Sequence, residues 1–457
     1  MKKTLKQLAA WLNEDMSAYD DTVVSGISID TRTIQQGDLF VPFRGEQTNG
    51  HRFVAQAIEK GAVASLWQKD EPNPPKGVPL LFVDDPEIAL QEMARAYRKE
   101  HKAKFIGITG SNGKTSTKDI LAGTLAPFFK VQKTIGNFNN QLGLPITILQ
   151  LDEETEVAVL EMGMSGFGEI EFLTKLAQPH MTVITNIGEA HMQDLGSRAG
   201  IAQAKFEIIQ GMQPDGLLFY DGDEPLLQEL VAKEQHLNAV AFGLEPHNLL
   251  YADHIHANAN ANGSSFTTHG TIEGDFFISV LGKHQVKNTL VAMLISHQLG
   301  LNNEQIRTSL EHVVLTDMRM QQVQGTNGAL FINDAYNAAP TSVKAAIQFI
   351  ATSTIRPEKW LVLGDMLELG PDEQRYHEGL AEDIDEQEID YVCLFGPRMT
   401  HLHKVLKEHF EAERLLYAED DYTAIIEKLK LANESSIVLL KGSRGMKLET
   451  ILQAFTS

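Results

Sequence analysis

The amino-acid sequence predicts an α/β protein of three domains. The chain has 457 residues, about three times the usual length of one domain. Short apolar runs rich in Val, Leu and Ile alternate with helical patterns, as in parallel sheets covered by helices. This alternation starts afresh near residue 319, after a stretch of hairpin-like strands. We therefore predict an N-terminal domain over residues 1–102, a central domain over 103–317 and a C-terminal domain over 318–457.

The first block combines short strands with helices. VSGISI, DLFVPF, VASLW and PLLFV have the composition of strands, and FVAQAIEKGA and IALQEMARAYRKEH have that of helices. The proline-rich stretch EPNPPKGVP, residues 71–79, is typical of a surface loop. The N-terminal MKKTLKQLAAWLNED predicts a short amphipathic helix.

The two later blocks each predict a parallel sheet. The central block opens on the apolar run KFIGITG and continues with EVAVLEMG and MTVITNIG, each followed by a helical pattern. Hairpin-like strands over residues 265–281 precede the helix HQVKNTLVAMLISHQL. In the third block ALFIND, KWLVLGD, DYVCLFG and SSIVLLKGS alternate with helical stretches such as TSVKAAIQFIA and KLETILQAF.

Composition and charge exclude several classes of protein. The chain carries 39 Lys and Arg against 61 Asp and Glu, a formal net charge of -22, which argues against a general nucleic-acid or anionic-membrane binder. Its one cysteine, Cys393, excludes a disulfide framework and a cysteine-rich zinc site, and we expect it in the core. Apolar runs fall short of the roughly 18 residues of a membrane span, and the N-terminus lacks the apolar core of a signal peptide. We therefore expect a cytoplasmic protein without a nucleic-acid partner or a membrane span.

The segment GITGSNGKTSTK, residues 107–118, has the composition of a phosphate-binding loop. Glycines let backbone N–H groups approach phosphate oxygens, and the following helix adds its positive end. Lys114 can reach the outer phosphates, and the Thr115 hydroxyl can ligate Mg²⁺. The general pattern asks for glycine five residues before Gly113, where this chain has Ile108. The predicted nucleotide-binding residues of the loop are Gly110, Ser111, Asn112, Gly113, Lys114, Thr115 and Ser116.

Lys205 lies on the apolar face of a predicted helix, GIAQAKFEIIQGM, residues 200–212. It follows Ile201 by four residues and so lies on the same face as this residue. A buried ammonium is unfavourable unless it is paired or neutralised. The alternative is a lysine whose stem packs while its head reaches solvent.

Several longer motifs resemble those of the Mur ligase family, the ATP-dependent enzymes that build the peptide of the bacterial cell-wall precursor. These motifs are TGSNGKTST, NFNNQLGLP, LEMGMS and NIGEAHMQDLGS. NDAYNAAPTSVKAA and LGDMLELG further resemble the member that adds D-alanyl-D-alanine to UDP-N-acetylmuramoyl-tripeptide (UDP-MurNAc-tripeptide). The resemblance runs from SIDTR near residue 30 to KGSRGMKLE near residue 445. It implies an N-terminal domain that holds the UDP-sugar, a central ATP-binding domain, and a C-terminal Rossmann-like domain that brings the amine substrate and closes over the nucleotide.

The resemblance also implies a metal site. Glu161 ends the run VAVLE at the carboxyl edge of the sheet, where ligands of open α/β sheets bind, and a carboxylate suits Mg²⁺. His191 would stand at a second metal ion. Lys205 would carry a carbamate, because CO₂ added to a neutral amine gives an anion that can support Mg²⁺. The predicted metal ligands are therefore Thr115, Glu161, His191 and Lys205, and the predicted catalytic residues are Lys114, Glu161, His191 and Lys205.

The family pattern implies substrate contacts in all three domains. Asn49 in Asn49-Gly50-His51 stands where the family usually has Asp, and Gln285 stands where it usually has Asn. Asn288 would contact the adenine base. Residues implied at the UDP-sugar and its peptide are Ser28, Thr31, Arg32, Thr134, Asn137, Asn139, Ser165 and Arg198. Residues implied at ATP or the acyl site are Arg319, Asp334, Tyr336 and Asn337. Those implied in carboxylate recognition, to which the forked donors of arginine are suited, are Lys441, Ser443 and Arg444.

The activity implied by the resemblance is amide formation through an acyl phosphate. ATP would phosphorylate the terminal carboxylate of UDP-MurNAc-tripeptide, and the amine of D-Ala-D-Ala would attack it to give the pentapeptide for peptidoglycan synthesis. We expect ATP and Mg²⁺ as cofactors, small-molecule substrates and a monomer. The alternatives are another Mur ligase, an amide ligase like folylpolyglutamate synthase, and a phosphate-loop ATP switch without ligase activity. The third residue of the tripeptide, lysine or diaminopimelate, stays open.

Overall fold

Three regions, each built of a β-sheet and α-helices, follow one another along the chain. The structure is a computed structural model that describes residues 1–15, 19–46, 48–258 and 262–456. The described strands form a two-stranded ribbon and sheets of four, nine and six strands. The predicted fold class, an α/β protein with successive parallel sheets, is confirmed.

The N-terminal region is built on a small parallel sheet. Its strands are β1 (Lys3–Thr4), β2 (Val23–Val24), β3 (Gly26–Ser28), β4 (Asp38–Phe40), β5 (Ala64–Gln68) and β6 (Leu80–Val83). Its helices are α1 (Leu5–Trp11), α2 (Val54–Glu59) and α3 (Pro86–Glu100). Strands β3 to β6 pair in chain order, all parallel, while β1 and β2 form the antiparallel ribbon. Helix α3 begins where it does because the Asp85 carboxylate accepts the N–H groups of Glu87 and Ile88, and Pro86 suits the first helical position.

The central region contains the nine-stranded sheet. Its strands are β7 (Lys104–Thr109), β8 (Val131–Lys133), β9 (Val157–Glu161), β10 (Met181–Ile184), β11 (Leu217–Asp221), β12 (Ala239–Gly243), β13 (Leu250–Ala257), β14 (Ser264–Gly270) and β15 (Gly274–Ile278). Its helices are α4 (Lys114–Leu125), α5 (Gly143–Leu149), α6 (Glu169–Ala177), α7 (Met192–Leu195), α8 (Arg198–Phe206), α9 (Pro225–Lys233), α10 (Lys283–Gln298) and α11 (Asn303–Leu310). The strand order is β15-β14-β13-β12-β11-β10-β7-β9-β8. Pairing is parallel from β8 to β13 and antiparallel in the β13-β14-β15 hairpins.

The third region contains the six-stranded sheet. Its strands are β16 (Gln321–Gln324), β17 (Leu330–Asn333), β18 (Glu358–Gly364), β19 (Tyr391–Phe395), β20 (Leu415–Ala418) and β21 (Ser436–Lys441). Its helices are α12 (Pro340–Thr352), α13 (Glu373–Glu378), α14 (Met399–Leu406), α15 (Thr423–Leu429) and α16 (Glu449–Gln453). The order is β16-β17-β21-β18-β19-β20, with β16 antiparallel and the others parallel.

The helix predicted to carry Lys205 is shorter than the sequence pattern indicates. The pattern extends to Met212, but α8 ends at Phe206 and a 3₁₀ turn covers Glu207–Gly211. At the end of this turn Gly211 packs against the backbone of Thr174 and Lys175, where an added Cβ would come within 2.3 Å. Lys205 keeps its predicted place beside the buried Ile201 and Ala204.

The apolar cores are divided unequally among the regions. One core is continuous from the N-terminal region into the central sheet, whereas the third region has its own cores on the two faces of its sheet. Cys393 is 1% exposed in β19, as predicted, and burial raises the pKa of its thiol to about 12. Among the described helices, none combines the length and the apolar character needed to cross a membrane.

Candidate active site

A cavity of about 480 Å³ lies between the central sheet and the third region. The central sheet contributes the carboxyl ends of β9, β10 and β11 and the loop that follows β7. Ligands of open parallel sheets bind at this edge. The linker (residues 311–320) and the first residues after β17 close the cavity from the other side.

The predicted phosphate loop turns from β7 into α4 at the floor of the cavity. Gly110 and Gly113 have φ angles of +148° and +81°, conformations that favour glycine. The ammonium of Lys114 folds back and donates to the Gly110 carbonyl at 2.8 Å. Asn186, just after β10, accepts the Asn112 N–H at 3.0 Å and so ties the loop to the next strand. Backbone N–H groups at the start of a helix are thereby held ready for an anion.

Glu161 is buried beside the start of α4, with 3% of its surface exposed. Its Oε2 accepts the Thr115 hydroxyl at 2.8 Å, and its Oε1 accepts the Asn139 amide at 2.9 Å. The ammonium of Lys118 lies 3.7 Å from Oε2. The Glu161 backbone N–H donates to the hydroxyl of Thr134 at 3.0 Å, so Thr134, which is fully buried, holds the end of β9.

Two of the residues predicted to hold Mg²⁺, Thr115 and Glu161, are in contact. The Thr115 hydroxyl and the Glu161 carboxylate are adjacent oxygen donors, the kind that this hard cation prefers. Among the described residues, no group of three or more His, Cys, Asp or Glu is arranged to hold a metal ion. The remaining ligands would therefore be nucleotide phosphate oxygens and water, which is usual for Mg²⁺.

Lys205 and His191 are not part of the cavity wall, but both lie close enough to Lys114 for their charges to interact. Lys205 is 2% exposed, and its side chain forms no hydrogen bond or ion pair with any residue that the structure describes. Burial, and then the charge of Lys114, lower the pKa of Lys205 well below its usual value. Burial also lowers the pKa of His191, and both lysines add to this effect. The site therefore favours a neutral amine at Lys205 and a neutral imidazole at His191.

The pKa of Lys114 is lowered as well. Burial is the main cause, the carboxylate of Glu161 opposes it, and the guanidinium of Arg319 adds to it. Lys114, Lys118 and Arg319 thus lie close to the Glu161 carboxylate, so an anion added at the phosphate loop would find cationic partners there.

Arg319 reaches into the cavity from the linker. Its Nη2 donates to the Thr115 hydroxyl at 2.8 Å, and its guanidinium lies 4.3 Å from the centre of the Tyr336 ring. Lys441 at the end of β21 donates to Asp334 Oδ2 at 2.7 Å and to the Asn337 carbonyl at 3.0 Å. The third region therefore presents Arg319, Asp334, Tyr336, Asn337 and Lys441 to the phosphate loop, as one group.

Helix α10 supports the phosphate loop from the side. Asn288 is buried and donates to Gln285 Oε1 at 3.1 Å, while Gln285 Nε2 donates to the Ser116 hydroxyl at 3.3 Å. A Cβ at Gly113 would lie 2.7 Å from Asn288 Oδ1. Glutamine, longer than the usual asparagine, spans the distance from α10 to Ser116.

Many of the other predicted residues are not part of the cavity wall. Arg32 is exposed and paired with Asp30, and its hydrogen bonds lower the pKa of Asp30 to about 2. Ser28 is buried and bonded to Asp30 and Thr33. Residues of the cavity wall do not include Ser28, Thr31, Arg32, Gly110, Thr134, Asn137, Ser165, His191, Lys205, Ser443 or Arg444. Arg198 does line the cavity, paired with Glu224 at 2.6 Å.

Sequence reasoning missed a charged wall of the cavity. Lys287 on α10 lies 2.5 Å from Asp221 and 3.0 Å from Asp223, both at the end of β11. His284 also lines this part, and burial lowers its pKa. The run LLFYDGDEP, an apolar strand ending in acidic residues, is the signal that could have revealed this wall.

Three family models match successive parts of the chain. They are "Mur ligase family, catalytic domain" over residues 23–98, "Mur ligase middle domain" over 108–296, and "Mur ligase, glutamate ligase domain" over 318–444.

Individual relatives match over nearly the whole length. The UDP-N-acetylmuramoyl-tripeptide–D-alanyl-D-alanine ligase of Bacillus subtilis is 43% identical over 455 residues, which cover 99% of this chain and 98% of that protein. A crystal structure of MurF from Acinetobacter baumannii superposes with a TM-score of 0.87 at 28% identity, covering 99% of this chain and 98% of that one. The MurF ligase of Thermotoga maritima in complex with ADP gives 0.82 at 26% identity, covering 94% and 97%.

Proposed function

This chain belongs to the Mur ligase family, and we propose that it joins D-alanyl-D-alanine to UDP-MurNAc-tripeptide while ATP is converted to ADP and phosphate. The product is UDP-MurNAc-pentapeptide, a precursor of peptidoglycan. The observation that carries this proposal is the convergence of a phosphate loop, a buried carboxylate and an arginine of the third region in one cavity between domains. The division into domains after residues 102 and 317 is part of the proposal.

The residues of the cavity would divide the work of phosphoryl transfer. Backbone N–H groups at the start of α4 and the Lys114 ammonium would bind the phosphates of ATP. Arg319 would bring a second cation to the transferred phosphoryl group. Both would offset negative charge as the tripeptide carboxylate attacks, and alignment of two anions is the main task of such a site. Asn288 on α10 would face the base.

Thr115 and Glu161 would hold Mg²⁺ together with ATP. Bound there, the ion would neutralise charge on the phosphate oxygens. Arg319 occupies the Thr115 hydroxyl in the structure and would leave it when the cation binds. His191 would serve at a second ion through its neutral imidazole.

Lys205 would carry a carbamate. As an ammonium this side chain is buried, unpartnered among the described residues and repelled by Lys114. Carbamylation uses the neutral amine that the site favours, and it turns the repulsion between two lysines into an attraction between an anion and Lys114. The carbamate would then support the metal site from behind.

The remaining residues would bind the organic substrates. Ser28, Thr31 and Arg32 of the N-terminal region would meet the uridine diphosphate. The loop residues Asn137 and Asn139, together with Ser165 and Arg198, would meet the sugar and its peptide. Thr134, predicted to do so too, is fully buried and would instead support this loop by holding the end of β9. Asp334, Tyr336 and Asn337 would join ATP or the acyl group, and Lys441, Ser443 and Arg444 would receive the carboxylate of the dipeptide. We place the activity in the cytoplasm, where ATP is supplied, and assign it to a monomer.

Mass spectrometry of the reaction products tests the function. Purified protein with ATP, Mg²⁺, D-Ala-D-Ala and either the lysine- or the diaminopimelate-containing UDP-MurNAc-tripeptide is expected to yield pentapeptide, ADP and phosphate. ATP hydrolysis is expected to stay low until the tripeptide is present. Equal use of single amino acids, or ATP turnover without ligation, would overturn the assignment.

A further inference from the structure

The linker lies along one face of α4, the helix that begins at the phosphate loop. Thr115, Asp119 and Gly123 are four residues apart and share this face. Arg319 bonds Thr115, and Thr316 bonds Asp119. The third contact brings Val313 to Gly123, where an added Cβ would lie 3.4 Å from Val313 Cγ2. The linker thus runs antiparallel to α4 for two helical turns.

In the middle of this run, the buried carboxylate of Asp119 accepts two hydrogen bonds from Thr316. The Asp119 side chain is 0% exposed. Its Oδ2 accepts the Thr316 N–H at 2.9 Å and the Thr316 hydroxyl at 2.7 Å, and its Oδ1 accepts Lys133 at 2.6 Å. Burial would raise the pKa of Asp119, but Lys118, Lys133 and Thr316 outweigh it and the pKa is lowered. Charge-assisted bonds of this kind are about twice as strong as neutral ones.

The contact at the end of the run is of a different kind. Arg319 makes its bond to the hydroxyl that the Mg²⁺–ATP complex would claim, and its Nε is buried without a hydrogen-bond partner among the described residues. The flanking Met318 and Met320 have φ angles of +62° and +54°, a region that methionine rarely adopts. Arg319 therefore has an exchangeable contact, whereas Thr316 has a fixed one.

The geometry limits how far Arg319 can move while Thr316 is held. The two residues are three positions apart, so their Cα atoms can separate by at most about 11 Å. Lys118 adds a second link, because its buried ammonium lies 3.8 Å from Asp119 Oδ1 and 3.7 Å from Glu161 Oε2. Asp119, which holds the linker, and Glu161, which is proposed to bind the metal ion, therefore share the ammonium of Lys118.

We propose that Asp119 is a positioning residue, which pins the linker at Thr316 and thereby sets where Arg319 meets the nucleotide. Asp119 lies one helical turn beyond Thr115 on α4. The third region would turn about Thr316, the residue that Asp119 holds. This inference rests on the proposed function, because Arg319 is taken to act on ATP.

Substitution of Thr316 tests the pin with little disturbance of the fold. Thr316→Val removes the hydroxyl and keeps the N–H, Thr316→Ser restores the hydroxyl, and Thr308→Val is the matched control on the exposed face of α11. We expect Thr316→Val to lower kcat for ligation about tenfold with an unchanged KM for UDP-MurNAc-tripeptide. Thr316→Ser and Thr308→Val should stay within about twofold of the wild type. A wild-type kcat in Thr316→Val, or a decrease in kcat of the same size in Thr316→Ser, would contradict the proposal that Asp119 holds the linker at Thr316.

Two further measurements test whether Asp119 and Thr316 act through one contact, and whether this contact matters independently of the proposed ligase reaction. Asp119→Asn combined with Thr316→Val should lower kcat no more than Asp119→Asn alone, because both act on one contact; additive losses contradict this. Affinity for a non-hydrolysable ATP analogue, measured by calorimetry, does not depend on the identity of the organic substrates. If the wild type forms no pentapeptide, the proposed function fails, and the pin is still judged by whether Thr316→Val binds the analogue more weakly than Thr316→Ser. Equal affinities overturn it.

Discussion

The N-terminal region joins the central sheet through a shared apolar core, whereas the third region joins it around a polar cavity. At the first junction, α3 packs against the central region and Tyr97 donates to the Leu151 carbonyl at 2.7 Å. The buried Arg98 donates to the carbonyls of Ala177 and Gln178, and burial lowers its pKa to about 10. The junction is held by buried groups whose partners are backbone atoms.

At the second junction, between the central and third regions, most of the contacts are polar. Thr316 bonds Asp119, Arg319 bonds Thr115, and the Thr341 hydroxyl at the start of α12 donates to Glu189. Leu281 contributes an apolar contact to the core of the third region. The contacts of Arg319 and Thr341 can exchange with water and ligands at little net cost in free energy, whereas the contact of Thr316 is made to a buried carboxylate.

This difference separates the two roles of an interface between domains. Burial of a continuous core makes the first two regions one rigid support for the phosphate loop. We expect the polar seam around the cavity to let the third region open, admit substrates and close again. Substitutions at the second junction should therefore change catalysis, and those at the first should change stability.

Lys114→Ala should have the largest effect on catalysis. Loss of the ammonium beside the transferred phosphate should lower turnover on the order of a hundredfold or more, measured as pentapeptide formed per enzyme. UDP-MurNAc-tripeptide should still bind, because its predicted contacts lie chiefly in the N-terminal region. The control is Lys102→Ala, an exposed residue at the first junction. Near-normal turnover in Lys114→Ala would remove the phosphate-loop argument.

Lys205→Ala should lower ligation by about tenfold or more while the protein stays folded. Carbamylation needs the neutral amine, and a lowered pKa makes that form available near neutral pH. Wild-type enzyme stripped of CO₂ at low pH should therefore regain activity with bicarbonate, faster as the pH rises. Lys205→Ala should not respond to bicarbonate.

The same lowered pKa gives a sign for stability. Because Lys205 holds a proton less well in the folded chain than in the unfolded chain, the unmodified side chain destabilises the fold at neutral pH, and less so as the pH rises. Lys205→Ala in CO₂-free buffer should thus be at least as stable as the wild type in urea. If Lys205→Ala ligates at the wild-type rate, Lys205 carries no functional carbamate and contributes only packing.

Arg98→Met should lower stability and leave catalysis intact. The substitution keeps the aliphatic length but leaves the Ala177 and Gln178 carbonyls without their donor, at a cost of about 2 kcal/mol. Urea unfolding should show a lower midpoint, with unchanged kcat for the folded enzyme. Lys99→Met, on the exposed side of the same helix, is the control. Equal midpoints for the two variants would show that the first junction does not depend on Arg98.

Closure at the second junction should appear as a small decrease in the radius of gyration. Small-angle scattering with a non-hydrolysable ATP analogue and UDP-MurNAc-tripeptide should record it in the wild type and, to the same extent, in Arg98→Met. A radius that does not change with both ligands would mean that the polar seam is as rigid as the apolar core.

Sequence patterns predicted many of the apolar strands, but they missed β8, β16 and β20 at sheet ends and β11, β12 and β13 inside the central sheet. The runs that became β7, β9, β10, β17 and β18 are apolar because both faces of these strands are covered. β8, β16 and β20 lie at the ends of their sheets, and QQVQ or VQK has too few apolar residues to predict a strand. An edge strand is specified by the neighbour it pairs with, which a local window does not contain.

In the site, local motifs were informative and long-range pairs were not. The phosphate loop and Glu161 lie together because each ends or follows a parallel strand at the same sheet edge, a relation that the pattern itself contains. Asp119 and Thr316 are 197 positions apart, and Asp119 has the appearance of an ordinary polar helix residue in the sequence. The resemblance predicts Asp334 and Lys441 in separate roles, yet they form an ion pair. These site assignments stay predictions.

The burial of Cys393 makes the native chain a convenient host for chemical labels. A thiol with a pKa of about 12 inside β19 is almost wholly protonated at neutral pH and inaccessible to maleimides. Cysteines introduced at Leu249 and Leu431, which are 51% and 60% exposed, would then be the reactive thiols of the molecule. One dye on the central region and one on the third could report the opening and closing of single molecules by energy transfer, without first removing a native cysteine.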